Sequence, residues 1–149
     1  MIGGHCNGAF VAFELARQIR AAGEPVEAIV VIDAPAPQGA NLPKEADPFP
    51  PIGNPAAHRQ ADMAARLGKA MRAYRACPLD VPLVNIRCGK ASTARHDDGW
   101  ASLAARTEVH VLPGDHVTLV MERGGEKFAD VVRSVIDRAM AGERRIATG

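Results

Sequence analysis

Gly4-His5-Cys6-Asn7-Gly8 stands near the start of the chain, with Met1-Ile2 in front and a helical run behind. The reading of this pentapeptide decides the fold. A cysteine with a glycine two residues to either side has the form of a nucleophile elbow, with sulfur where a hydroxyl is usual. Such an elbow is a sharp strand-to-helix turn. Its flanking positions must be small, because the chain reverses there against neighbouring backbone. The central residue is held in strain with its reactive atom in the open above a sheet. The opposing reading is that Cys6 is a small buried hydrophobe, as most cysteines are.

The surroundings favour the elbow. Met1-Ile2 forms the stub of a strand. Ala9 to Arg20 reads as a helix, with apolar residues at 9, 12, 13, 16 and 19. Phe10, Val11 and Leu15 widen that stripe, and Gly23 is a stop signal. Val26 to Ile32 (Val-Glu-Ala-Ile-Val-Val-Ile) is a β-branched run suited to one buried strand. Strand, elbow, helix and buried strand follow in the order that the motif requires. A helix N-terminus behind Cys6 also stabilises a thiolate, which a histidine partner turns into a working nucleophile.

Partners for Cys6 follow in the order nucleophile, acid, histidine. Asp33 ends the buried strand in Val30-Val31-Ile32-Asp33-Ala34-Pro35. That is the end of a parallel strand where open α/β sheets carry their sites. Its alternative role is a turn residue before Pro35. His116 follows a strand and a Pro-Gly turn in Val111-Leu112-Pro113-Gly114-Asp115-His116. Asp97 and Asp98, after the buried run Pro82 to Cys88, are rival acids; Asp33 is preferred because it abuts its strand directly. His5 is expected to pack or cap locally within the elbow. His58, His96 and His110 read as solvated or structural, and Asp115 as a turn residue. Cys77, before Pro78, and Cys88, at a strand end, read as structural.

With these residues in view, the chain resembles the thioesterase domains that end nonribosomal peptide and polyketide assembly lines, and their stand-alone type II relatives. The resemblance is carried by Gly4-His5-Cys6-Asn7-Gly8, Ala12-Phe13-Glu14-Leu15-Ala16 and Ile29-Val30-Val31-Ile32-Asp33. It continues in Ala73-Tyr74-Arg75, Pro82-Leu83-Val84, Gly99-Trp100 and Leu112-Pro113-Gly114-Asp115-His116, so it runs from residue 2 to about 140. It implies an α/β fold: a partial α/β-hydrolase, mostly parallel sheet flanked by helices, with a helical, Pro-rich lid insertion. It implies a hydrolase that releases or transfers an acyl or peptidyl group from a carrier-protein phosphopantetheine thioester, in secondary-metabolite biosynthesis. Cys6 falls on the family's nucleophile, Asp33 on its acid and His116 on its histidine.

Two departures matter: the family has serine where Cys6 stands, and the front of the fold is expected to be missing; Ala9 also stands where the family has a second glycine. The oxyanion hole needs the N–H after the nucleophile, here Asn7, and another from an earlier strand–helix loop. The expectation is therefore an N-terminally truncated domain, completed by an upstream segment or another chain. A different cysteine hydrolase of this fold, dienelactone-hydrolase-like, and an inactive thioesterase fragment are the alternatives.

The whole of 1–149 reads as one domain. Net charge is +1, with 47% hydrophobic and 23% charged residues and no basic block, which excludes nucleic acid as a partner. No apolar run approaches about 20 residues, so no spanning helix is expected. No metal-like cluster and no disulfide pattern join the three cysteines, which suits a reducing cytoplasm. No resident cofactor is expected; the pantetheine arm belongs to the carrier protein. Residues 35–55 hold seven prolines, and with the helix predicted over 56–76 they form the lid region, 35–76. Met63, Leu67 and Met71 are the candidates to line a substrate channel, with core packing as their alternative role. A short helix begins at Trp100, a strand covers 108–112, an amphipathic helix runs from Glu126 to Met140, and 143–149 is expected to be a flexible tail.

Overall fold

The computed structural model describes residues 1–37, 55–89, 96–116, 118–119 and 125–147. The elements in chain order are β1 (Ile2–His5), α1 (Gly8–Ala21), β2 (Ile29–Ile32), α2 (Pro55–Ala73), β3 (Leu79–Cys88), β4 (Ala104–Leu112) and α3 (Gly125–Ala147). A one-turn 3₁₀ helix, Trp100–Ser102, precedes β4. The Pro-rich part of the expected lid, 38–54, lies outside the described residues.

The four strands form one sheet in the order β1-β2-β3-β4, every pair parallel. Parallel strands are covered on both faces, which is why β2 reads as an unbroken apolar run. Their alternation divides the core in two. Ile29 and Val31 of β2 and Val81 and Leu83 of β3 face α1, where they join Phe13, Ala16, Trp100 and Leu103. Val30 of β2 and Val84, Ile86 and Cys88 of β3 face α3, packed with Leu112, Leu119 and Val135. Phe13 and Trp100 meet with ring centroids 5.5 Å apart, and the Trp100 indole N–H donates to the Ala34 carbonyl at 2.7 Å. That bond satisfies the one polar atom of a fully buried ring and ties the chain after β2 to the turn before β4.

Several boundaries differ from the sequence reading. β2 begins at Ile29, not Val26, because its parallel partner β1 is only four residues long and registers Ile2 against Ile29. β3 begins at Leu79, so Pro82 lies inside a strand. A register irregularity between Leu79 and Pro82 accommodates the missing donor, and β2 pairs with β3 only from Leu83 onward. β4 starts at Ala104 rather than 108. α2 starts at Pro55, a residue suited to a helix N-terminus, and stops at Ala73. α3 continues to Ala147, so 143–147 is helical and not the flexible tail expected; Glu143, Arg144 and Arg145 are good helix formers.

The end of α2 is clamped to α1 by one charged centre. The Tyr74 hydroxyl donates to Glu14 at 3.0 Å, Arg17 grips the same carboxylate through Nε and an amino nitrogen, and Gln18 adds a fourth bond. The Arg17 and Gln18 bonds lead in holding the Glu14 carboxyl down at about 2, while burial and the Glu14 charge push the Tyr74 phenol up to about 12. Tyr74→Phe is expected to cost about 1 kcal/mol at neutral pH, the usual value of such a bond after solvent screening. The phenol's folded value is raised, so its contribution is complete below pH 10 and lost as pH rises toward about 12. Chemical denaturation of both proteins across that range checks this: the gap between them closes at the alkaline end.

Candidate active site

The C-terminal ends of β1, β2 and β4 lie along one edge of the sheet, and each delivers one candidate residue just beyond its last strand position. Cys6 follows β1, and its N–H continues the ladder by donating to the Ile32 carbonyl at 2.9 Å. Asp33 follows β2, and its N–H donates to the Ile86 carbonyl at 2.7 Å. His116 follows β4 after the turn Pro113-Gly114-Asp115. The ladder therefore fixes the first two before any side chain is considered. This is the end of a parallel sheet where the strand termini leave room for a ligand.

Cys6 has φ of +53°, a left-handed conformation that non-glycine residues rarely adopt and that costs of order 1–3 kcal/mol. Its carbonyl accepts from the Ala9 N–H at 3.0 Å, so the helix begins directly behind it. Gly4 is needed here: a Cβ on it would sit 2.1 Å from the Gly8 carbonyl oxygen, and this close approach lets the strand turn into α1. Gly8 differs from the expectation that both flanks must be small, since a Cβ there meets nothing described within 4 Å. Asn7 occupies the N-cap position of α1 with helical angles (φ −59°) and no side-chain capping bond, so its N–H stands at the positive end of a fourteen-residue helix, next in sequence to Cys6.

Asp33 also has positive φ, +47°. One carboxylate oxygen accepts the Cys88 N–H at 2.9 Å and the other accepts from His116 Nδ1 at 2.7 Å. Burial alone would raise the Asp33 carboxyl. The N–H and thiol of Cys88 and the His116 ring outweigh it, and the carboxyl lies below its ordinary value. The carboxylate is thus charged, buried and aimed at His116. The His116 side chain is 46% exposed while that of Asp33 is 8% exposed, so an accessible imidazole rests on a buried carboxylate. With Nδ1 donating to Asp33, the neutral ring presents the lone pair of Nε2.

The rival acids serve elsewhere. Asp97 accepts the N–H groups of Gly99 and Ala101, capping the 3₁₀ turn. Asp98 is buried with Arg87 at 3.3 Å and accepts from the Asn85 amide at 2.9 Å. His110 pairs with Glu108 at 2.7 Å on β4, where Arg138 of α3 also grips Glu108, and Asp115 accepts from Thr118 in a turn, as expected. His58 lies outside the residues whose side chains are described.

An open apolar groove of about 380 Å³ starts at Asn7 and runs between α1 and α2. Phe10, Val11 and Leu15 form one wall and Leu67, Met71 and Tyr74 the other. Of the three channel candidates, Leu67 and Met71 line this groove. Met63 does not: it is 70% exposed and is not among the lining residues.

Two further residues touch this group. The backbone N–H of Cys88, a residue read as structural, holds the Asp33 carboxylate. His5, expected to pack or cap locally, stacks on the His116 ring with centroids 4.6 Å apart. The strand-end position of Cys88 was the available signal, because the pairing of Ile32 with Ile86 brings it beside Asp33.

A family model described as a thioesterase domain matches residues 1–49. Among solved structures, the chain is similar to AB3403, a four-domain nonribosomal peptide synthetase bound to AMP and glycine, with 22% identity and a TM-score of 0.76. That match covers 89% of this chain and 14% of the synthetase. It is also similar to the NocB thioesterase domain, solved in covalent complex with a fluorophosphonate nocardicin G analogue: 20% identity, TM-score 0.71, covering 90% of this chain and 64% of that domain. Human thioesterase 2 matches at 12% identity and TM-score 0.66, covering 93% of this chain and 71% of the human one. No curated protein sequence matches the chain. The chain spans less than two thirds of the length of the first two of these relatives. The fold, a parallel sheet between helices, is that of the α/β-hydrolase thioesterase domains.

Proposed function

We propose that this protein is a thioesterase whose nucleophile is Cys6, acting on an acyl or peptidyl group carried as a phosphopantetheine thioester on a carrier protein. The observation that carries the reading is the Asp33–His116 pair at 2.7 Å, formed at the same strand ends as the strained Cys6 elbow. The thioesterase match over residues 1–49 supports the elbow, and the synthetase and NocB structures support the substrate class.

His116 takes the Cys6 thiol proton on Nε2, and the sulfur attacks the thioester carbonyl. The Asn7 N–H faces the developing oxyanion at the head of α1. The carbon–sulfur bond to pantetheine breaks, and His116 returns the proton to the departing thiolate. The acyl group now sits on Cys6. Water, or an amine or hydroxyl within the acyl chain, gives its proton to His116 and attacks, releasing an acid or a ring and restoring the thiol. Asp33 holds the imidazole in one tautomer and stabilises it when charged. The groove lined by Leu67 and Met71, which opens beside Asn7, receives the apolar part of the chain.

No described helix is long and apolar enough to cross a membrane. No disulfide joins the three cysteines, which fits the reducing cytoplasm as the site of action. The test is intact mass after exposure to an acyl-pantetheine thioester, followed by peptide mapping. An adduct of one acyl group on Cys6 is expected. A folded protein with no adduct, or an adduct confined to Cys77, sinks the reading.

A further inference from the structure

We propose that His5 is a positioning residue that sets the His116 ring against Cys6, an assignment that rests on the site reading above. Two contacts carry it. The rings of His5 and His116 stack with centroids 4.6 Å apart and planes 28° from parallel. The His5 Nε2–H also donates to the His116 backbone carbonyl at 3.2 Å.

The need for such a residue follows from how His116 is held. It stands beyond the turn that ends β4, about half exposed, and among the described residues its side chain has one hydrogen bond, to Asp33. That bond fixes Nδ1 but leaves the ring free to swing about it, carrying Nε2 away from the sulfur. A flat ring laid against one face removes that freedom, and a hydrogen bond to the same residue's backbone anchors the loop that bears it. His5 is the last residue of β1 and the immediate neighbour of Cys6. The base is therefore braced by the residue peptide-bonded to the nucleophile, so any shift of the elbow carries sulfur and brace together. Donation from Nε2 also requires the proton on that nitrogen, which fixes the tautomer of a neutral His5.

The two contacts can be separated by substitution. Glutamine reaches as far as the histidine Nε2 and keeps the donor without the ring, while phenylalanine keeps the ring without the donor. The experiment measures the second-order rate of Cys6 alkylation by iodoacetamide at neutral pH, with the exposed Cys77 as internal reference. It is paired with the rate of Cys6 acylation by acetyl-pantetheine. His5→Ala, His5→Phe and His5→Gln are compared in the native and His116→Ala backgrounds.

His5→Ala is expected to slow both reactions roughly ten- to a hundredfold, the combined value of one stacked pair and one hydrogen bond. His5→Phe and His5→Gln each recover part of the loss. In the His116→Ala background, His5→Ala changes nothing further, because His5 acts through His116. Unchanged rates in a folded His5→Ala protein overturn the proposal. So does an equal loss in both backgrounds, which would mean that the substitution distorts the elbow itself. If His5→Ala does not fold, the phenylalanine and glutamine variants decide by the same cycle. Native Cys6 that reacts no faster than Cys77, or that ignores His116→Ala, overturns both this role and the site reading. Fast, His116-dependent alkylation indifferent to residue 5 overturns the role of His5 alone.

Discussion

Cys6→Ala is expected to abolish the acyl-enzyme and to lower turnover of an acyl-pantetheine by about 10⁶-fold, the scale of loss when the nucleophile of a catalytic triad is removed. The protein should still fold, since Cys6 is only partly buried and alanine at φ +53° meets the same strain that cysteine already carries. Cys6→Ser is the more informative variant. It keeps the elbow and the helix end behind it but changes what the intermediate is. Transfer from a pantetheine thioester to Cys6 exchanges one thioester for another, so the acyl group stays activated on the enzyme. Transfer to serine relaxes it to an oxoester. An activated intermediate suits a weak or strained internal nucleophile, as in closure of a small ring. With an acyl-pantetheine bearing a tethered amine, the native protein is expected to give more ring product relative to acid than Cys6→Ser. Equal partitioning would remove the energetic argument for cysteine, and an undiminished adduct in Cys6→Ala would remove Cys6 as nucleophile.

The parts of this site that could be read from the sequence are those fixed by short-range geometry. Gly4 and Cys6 announce the elbow because the turn forbids a Cβ at one position and strains the other, and both constraints act within five residues. Asp33 and His116 could be picked out because each follows a strand, Asp33 directly and His116 after a three-residue turn, and parallel strands end on one side of a sheet. The contacts of His5 and Cys88 were not legible because they are set by the fold at long range. His5 meets His116 across 111 positions, and Cys88 meets Asp33 across 55. Local pattern carries no information about the first, and about the second only the strand-end position of Cys88. Met63 failed for a different reason. Met63, Leu67 and Met71 follow one another at four-residue steps, but such a row slips around the helix by about 40° per step. Leu67 and Met71 line the groove shared with α1, and Met63 points to solvent. The extension of α3 through 147 has a local signal in the helix-forming residues Glu143, Arg144 and Arg145, which the polar composition of the tail masks.

Asp33→Asn is expected to lower the rate of Cys6 acylation by about 10⁴-fold while leaving the protein folded. The amide is nearly the same shape, so the Cys88 N–H keeps its acceptor. The change lies at His116: an amide NH₂ turned toward the ring favours the proton on Nε2 instead of Nδ1, and the base then presents no lone pair to the thiol. The loss of charge also removes what stabilises the imidazolium. Because the Asp33 carboxyl lies below its ordinary value of 3.8, it is ionised throughout the neutral range. Its contribution to folding stability is present above that value and is lost as pH falls through the lower folded one. The ratio of native to Asp33→Asn acylation rates therefore shows no step from Asp33 titration between about pH 5 and 9. Asp98→Asn separates the acid from its rival. Asp98 is buried against Arg87, and removing its charge breaks a buried ion pair, at a cost of about 3–5 kcal/mol in stability. Yet Asp98 lies in the network with Asn85, and its loss should change the acylation rate of the folded fraction by less than about tenfold. Thermal melts and single-turnover acylation on both variants give a crossed result. Asp33→Asn loses rate and little stability, and Asp98→Asn loses stability and little rate. The reverse pattern would transfer the acid's role from β2 to the turn after β3.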